Sequence, residues 1–156
     1  MSQNIIPCKS VLNIEQKKKI RDWIYHKPGI HHAVEFLSTK CQIQITSDPD
    51  VVKGFERDSS NIPGNAEILC YPINDNECSV ILTYCRGAKI PLTIAAGRTN
   101  LNGSATPNGG MVMSIEKMTL PGPKLNLNAR CISSPVGIYL EDMRNATLQQ
   151  SHNRLH

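Results

Sequence analysis

Aromatic side chains are scarce, with one tryptophan, four tyrosines and two phenylalanines in 156 residues. A surface for single-stranded nucleic acid interleaves aromatic platforms with a basic stripe, and here the only tight basic cluster is Lys17-Lys18-Lys19. Charge of one sign is equally thin: 17 Lys+Arg stand against 13 Asp+Glu, a net +4 spread along the chain. No nucleic acid is expected as partner. Nowhere do about 18 apolar residues run together, which excludes a membrane-spanning helix. The amino terminus shows no apolar stretch behind a basic start, so no secretory signal is written and a cytoplasmic protein is expected. Cys8, Cys41, Cys70, Cys78, Cys85 and Cys131 form no C-x-x-C pair and have no histidine at finger spacing. Neither a zinc site nor a dithiol motif follows, and reduced, mostly buried, inert thiols are expected. Cys78 and Cys85 would share a helix face, but about 10.5 Å of rise is too long for a disulfide.

What remains is a globular composition, 40% hydrophobic and 19% charged. At this length roughly two thirds of the unfolded surface can be buried around one core. Asn13-Ile14-Glu15-Gln16 reads as a variant capping box opening a helix whose Ile20, Trp23 and Ile24 face inward, with Lys17 to Lys19 on the wet side. Pro28-Gly29 ends it, and Ile30, Val34 and Leu37 recur as the core stripe of a second short helix. Residues 42–46 alternate as a strand, and Asp48-Pro49 caps a short helix through Val51, Val52 and Phe55. Residues 56–65, with Pro63-Gly64, read as an exposed loop and a subdomain boundary.

Residues 66–71 form an apolar strand. Asn74 or Asp75 caps a helix using Cys78, Ile81, Leu82 and Cys85, and Gly87 marks its stop. A second apolar run, 90–96, completes strand, helix, strand, the pattern of a right-handed parallel βαβ unit. Met111 to Ser114 reads as a further strand, Leu125, Leu127, Ala129 and Cys131 alternate along another, and Leu140 and Met143 mark a last helix. Residues 149–156 are expected to fray.

The segment from Gly97 to Gly110 leaves the carboxyl end of a parallel strand, where open α/β sheets bind ligands. Gly97 and Gly103 let backbone N–H groups converge on an anion, while Thr99, Asn100 and Ser104 add side-chain donors and Arg98 a charge-assisted one. The loop has neither Gly-Lys-Ser/Thr of a Walker A motif nor a G-x-G-x-x-G opening a helix. By composition alone it is also ordinary turn chemistry. The other candidates are weaker. His26, His31 and His32 do not share one helical face, and His152 and His156 lack the glutamate of a zinc helix; all read as surface residues. Asp58 reads as a solvated or turn-capping carboxylate, and Trp23 as a core anchor beside Tyr25.

The order Ile90-Pro91, Gly97-Arg98-Thr99-Asn100-Leu101-Asn102-Gly103-Ser104-Ala105-Thr106-Pro107, Gly109-Gly110-Met111-Val112-Met113-Ser114 resembles the FAD-linked oxidases related to glycolate oxidase and D-lactate dehydrogenase. These share the vanillyl-alcohol-oxidase-like, PCMH-type FAD-binding fold. The resemblance extends to Asp58-Ser59, Ala66 to Pro72, and Pro135-Val136-Gly137 with Leu140-Glu141-Asp142, roughly residues 45 to 150. It implies an α+β fold: a helical amino-terminal segment (1–46), then the first α/β subdomain of a PCMH-type FAD-binding domain (47–156), truncated before the second subdomain and the substrate-binding cap. It also implies that Ala96, Gly97, Arg98, Thr99, Asn100, Leu101, Gly103 and Ser104 hold the FAD pyrophosphate, and that no catalytic residue lies in this part. Where many relatives have Pro-Arg and three glycines, this chain has Ile94-Ala95-Ala96-Gly97-Arg98, with its arginine three residues later. No histidine lies between His32 and His152, so the implied FAD is non-covalent.

Two functions stand side by side. One is the FAD-binding portion of an oxidoreductase acting on a 2-hydroxy acid, not active alone because the cap domain is missing, its partners being FAD and either the missing half as a separate chain or a second copy of itself; a gene remnant, a split subunit and an incomplete gene model all stay open as the origin of its length. The other is a non-catalytic binding or assembly module that keeps the subdomain without flavin and associates with itself or a partner.

Overall fold

The capping box of the first helix forms as its sequence requires. Gln16 N–H donates to Asn13 Oδ1 (2.8 Å) and Asn13 N–H to Gln16 Oε1 (2.9 Å). A computed structural model describes residues 11–152 and 154; Cys8 and His156 lie outside them. Helix α1 (Ile14–His26) buries Ile20 and lays Trp23 against Phe36 at 5.3 Å between ring centroids. Phe36 stacks in turn on Tyr84, also at 5.3 Å, so three of the aromatic rings meet where the helices pack. Tyr25 stays exposed.

The second helix differs from a plain i, i+4, i+7 stripe. Helix α2 (His31–Glu35) widens into a π-helical turn, Phe36–Lys40, where Ser38 Oγ donates to Val34 O (2.7 Å) and Thr39 Oγ1 to Glu35 O (2.5 Å). Hydroxyls bonded back to the preceding turn loosen a helix in this way. The buried residues are Ala33, Phe36 and Leu37, with Ile30 and Val34 half-buried beside them.

Strand β1 (Gln44–Thr46), helix α3 (Pro49–Lys53), strand β2 (Ile68–Tyr71), helix α4 (Asp75–Ala88), strand β3 (Leu92–Ala95) and strand β4 (Met111–Ser114) follow. The sheet order is β1-β2-β4-β3, with β1 antiparallel to β2, and β2 and β3 both parallel to β4. The strand–helix–strand unit is thus parallel, but its two strands are not neighbours: β4, returning from the glycine-rich loop, lies between them. Alternation sorts the sheet's side chains. Ile68, Cys70, Met111 and Met113 pack under α1 and α4, while Leu69, Tyr71, Ala95 and Val112 pack with Val52 and Phe55 of the α3 region.

Asn74 is the N-cap of α4, accepting from Glu77 N–H (2.9 Å). Gly87 does not stop this helix. The chain continues to Ala88, and the left-handed residue that ends it is Lys89 (φ 55°). Gly87 is instead a seat for α1, since a Cβ there would meet Ile24 Cδ1 at 2.9 Å. Leu82 is exposed, and the buried face of α4 is Val80, Ile81, Tyr84 and Cys85.

Residues 125–131 do not form one strand. They belong to a hairpin, β5 (Lys124–Asn126) and β6 (Cys131–Ser133). Ala129 N–H donates to Asn126 Oδ1 (3.0 Å) and Arg130 takes φ 50°, an Asx-type turn without glycine. Helix α5 (Leu140–Gln150) runs through part of the segment expected to fray. Gln150 clasps the hairpin, accepting from Leu125 N–H and donating to Pro123 O, both at 2.8 Å. Among the described cysteines Cys70 and Cys85 are buried, Cys41 and Cys78 half-buried and Cys131 exposed, all as free thiols. "Mostly buried" therefore overstated their burial.

Candidate functional site

Parallel strands β3 and β4 end side by side, and the chain leaves β3 directly into the loop. A cleft of about 860 Å³ opens there. Ala96, Gly97, Arg98 and Thr99 line it on one side, Glu116, Lys117 and Thr119 on another, and residues 136–140 with Asp142 close it. Gly137 makes that closure possible: its N–H donates to Met118 O (3.0 Å), and a Cβ would meet Ile115 O at 2.5 Å.

None of the backbone N–H groups from Ala96 to Gly103 meets an acceptor among the described residues. Gly97 leaves its surroundings open, with only Thr99 Cγ2 at 3.9 Å from where a Cβ would stand. The stretch is mostly exposed, so these amides are open to solvent and to an incoming acceptor alike. The side chains contribute less. Arg98 has φ 53°, donates from Nη1 to Gly54 O (2.8 Å) and lies 3.9 Å above the Phe55 ring, while its carbonyl accepts from Ser59 N–H (3.0 Å) and Ser59 Oγ (3.1 Å). This arginine braces the loop against the end of α3. Lys117 is likewise engaged, with Nζ 4.8 Å above the Tyr71 ring and 2.5 Å from Gln44 Oε1. Burial pushes the Tyr71 hydroxyl above its ordinary pKa, with Glu116 adding to the rise and Arg98 opposing it.

The structure divides the eight residues picked out by sequence. Ala96, Gly97, Arg98 and Thr99 share the cleft. Asn100, Gly103 and Ser104 are gathered against residues 58–62 instead. Asn100 Nδ2 donates to Asp58 Oδ2, to Asn102 Oδ1 (3.0 Å) and to Ser104 Oγ (3.1 Å). Ser104 N–H is taken by Asn102 Oδ1 (3.2 Å), and Gly103, at φ 75°, faces Ile62. Leu101 is 78% exposed.

Of the two readings of Asp58, turn-capping holds: it is 6% exposed rather than solvated and accepts from Ser60 N–H. What the sequence did not show is its reach to Asn100 and Ala105, by which the largely exposed loop 56–65 is tied to the glycine-rich loop. Gly64 has Pro107 O, Thr106 Cγ2 and Glu56 O all within 2.7 Å of its Cβ position. Hydrogen bonds, the Ser60 hydroxyl first and then Ser60 N–H, Asn100 and Ala105 N–H, outweigh burial and hold the Asp58 carboxyl down at about 2. An aspartate two residues before the Ser60 N–H closes an Asx turn, as its sequence allows. The histidines form no cluster: among the described residues no group of three or more His, Cys, Asp or Glu is placed to hold a metal.

No family model matches the sequence, and neither does any curated protein. Solved structures do match the fold. A xylooligosaccharide oxidase from Myceliophthora thermophila C1, in complex with xylobiose, superposes with TM-score 0.58 at 11% identity, covering 76% of this chain and 25% of its own. A chitooligosaccharide oxidase gives 0.61 at 13%, with 76% and 25% covered, and p-cresol methylhydroxylase 0.57 at 13%, with 91% and 26% covered. This chain spans about a quarter of the length of these three neighbours, two of which are named as oxidases. The fold is accordingly the α+β fold found in part of each of these proteins, a helical segment leading into a small mixed sheet with flanking helices.

Proposed function

We propose that the chain is the pyrophosphate-holding portion of a flavin-dependent oxidoreductase. The observation that carries this reading is the run of unengaged backbone N–H groups, Ala96 to Gly103, beside a cleft at the carboxyl ends of two parallel strands. The residues fit the group. Ala96, Gly97, Arg98 and Thr99 hold the pyrophosphate through main-chain N–H, with Asn100, Leu101, Gly103 and Ser104 completing the turn that presents them. Because Arg98 and Lys117 are engaged elsewhere and Glu116 and Asp142 also line the cleft, the attraction on this reading comes from main-chain amides rather than net charge. Bound FAD would supply the two-electron acceptor for a hydride leaving an alcohol carbon.

Cofactor retention is non-covalent on this reading, there being no histidine between His32 and His152. The substrate is proposed as a 2-hydroxy acid of the glycolate or D-lactate type, on the resemblance of the loop. Oligosaccharides, which two neighbours are named for, are the competing class. Residues 1–46 are the amino-terminal segment on this reading, its described part carrying α1, α2 and the edge strand β1, and residues 47–156 are the flavin-binding part of a cytoplasmic protein. Among the described residues no helix is long and apolar enough to cross a membrane. A second reading, an assembly module without flavin, is favoured by one observation: Leu120, Tyr139 and Leu140 are 82%, 77% and 75% exposed, and α5 has no buried residue.

The test is an FAD titration of the purified chain, followed by flavin fluorescence. Gly97→Asp is the control, because a side chain at 97 meets open space and puts a carboxylate at the cleft wall without straining the loop. Saturable binding, weakened at least about tenfold in the variant, is expected. A folded chain that binds no FAD, or binding indifferent to Gly97→Asp, refutes the proposal.

A further inference from the structure

We propose that Asp58 is the positioning residue of the anion loop, an inference that rests on the flavin reading above. Its carboxylate makes no salt bridge among the described residues; only neutral donors surround it. Oδ1 receives Ser60 N–H (2.9 Å) and the Ser60 hydroxyl. Oδ2 receives Ala105 N–H (3.3 Å) and the Asn100 amide. One carboxylate therefore closes the turn at 58–60 and ties down both ends of the stretch 100–105, more than forty residues later in the chain.

The consequence for the cleft lies in which donors are consumed. Asn100 Nδ2, Ser104 N–H and Ala105 N–H are spent inside this network. The N–H groups at 96–99, on the cleft side, are not. Arg98 makes the second tether, gripping Gly54 O with its guanidinium and Ser59 with its carbonyl. The segment 54–60 thus holds the loop from both sides before any ligand arrives. Pre-ordering of this kind raises affinity by removing the ordering entropy that binding would otherwise incur. Asp58 touches no ligand; it acts through the loop.

Asp58→Asn keeps the shape but turns one acceptor into a donor facing Ser60, Asn100 or Ala105. Asn100→Ala removes the loop-side partner without touching the buried carboxylate, and serves if the first variant does not fold. Amide hydrogen exchange resolved by segment is the readout independent of flavin. Both variants should exchange about tenfold faster or more across 98–105 while β2 and α4 keep their protection. FAD affinity, read by fluorescence, should fall about tenfold in each. Acceleration spread evenly over loop, β2 and α4 would show a general stability role and overturn the inference. So would unchanged loop protection, or wild-type FAD affinity in variants whose loop is loosened. If the wild-type chain itself binds no FAD, the flavin reading fails by that result alone. The exchange profile then decides whether Asp58 orders the loop.

Discussion

Gly109 and Gly110, where the loop returns to the sheet, and Gly122, between β4 and β5, separate two kinds of backbone demand. Gly122 has neither a positive φ nor any atom within 4 Å of a would-be Cβ, so Gly122→Ala should lie within about 0.5 kcal/mol of wild type. Gly109 has φ 79° and open space; alanine there meets only left-handed strain, about 1–2 kcal/mol. Gly110 has φ 74° and, in addition, Pro91 O at 2.3 Å from the Cβ position. That carbonyl cannot swing away freely, because it accepts from Met111 N–H at 2.9 Å, while Gly110 O accepts from Glu67 N–H at 2.8 Å. Overpacking against fixed backbone adds about 1–3 kcal/mol, giving about 2–5 kcal/mol in all for Gly110→Ala. At about 2–4 °C per kcal/mol for a chain of this size, Tm should fall by about 2–8 °C for Gly109→Ala and by about 4–20 °C for Gly110→Ala. Circular dichroism melts of the three variants, checked for coincidence of two probes, measure this. Equal shifts for Gly109→Ala and Gly110→Ala would refute the contact argument, and a large shift for Gly122→Ala would refute both.

Two further outcomes are expected. Asp58 has its folded pKa near 2 against an ordinary 3.8, so the unfolded chain takes up the proton first as pH drops; the contribution is complete above about pH 5 and fades as pH falls from about 4 to 2. The gap in Tm between wild type and Asp58→Asn should therefore close on acidification, and a gap that stays constant from pH 6 to 2.5 would contradict the hydrogen-bond network. Thiol labelling of the native chain should modify exposed Cys131 first, while Cys70 and Cys85, buried and in the case of Cys85 pushed up to about 12, react only on unfolding. Peptide mapping that finds Cys70 labelled as fast as Cys131 would show that the sheet does not shield it.

What the sequence made legible was local. The capping box at Asn13, the N-caps at Asp48 and Asn74, and the strands at 68–71 and 111–114 are each specified by neighbours within a turn or an alternation. The misreadings share a different cause. Gly87 looks like a helix stop because glycine often is one, yet its lack of a Cβ serves Ile24, some sixty residues away in the chain. The period-two pattern through 125–131 persists across a reversal because Asn126 and Arg130 make the turn without glycine or proline. Both signals are local signs of a long-range fact.

The same distinction governs the site. Sequence order marks out 96–104 as an anion loop and treats every donor in it alike, whereas the fold assigns them different work. Arg98 illustrates this: a positive charge next to an anion site suggests a ligand, but its guanidinium lies on Phe55 and bonds Gly54 O. Asp58 is the converse, a negative charge near an anion site that a charge count would score as unfavourable. Its contacts are with Asn100 and Ala105, and on the proposal above they hold the loop in place. If the amides of 96–99 are what an incoming phosphate meets, affinity depends on their common orientation. On the proposal above, that orientation is held by the segment 54–60 through its bonds to residues 98, 100 and 105.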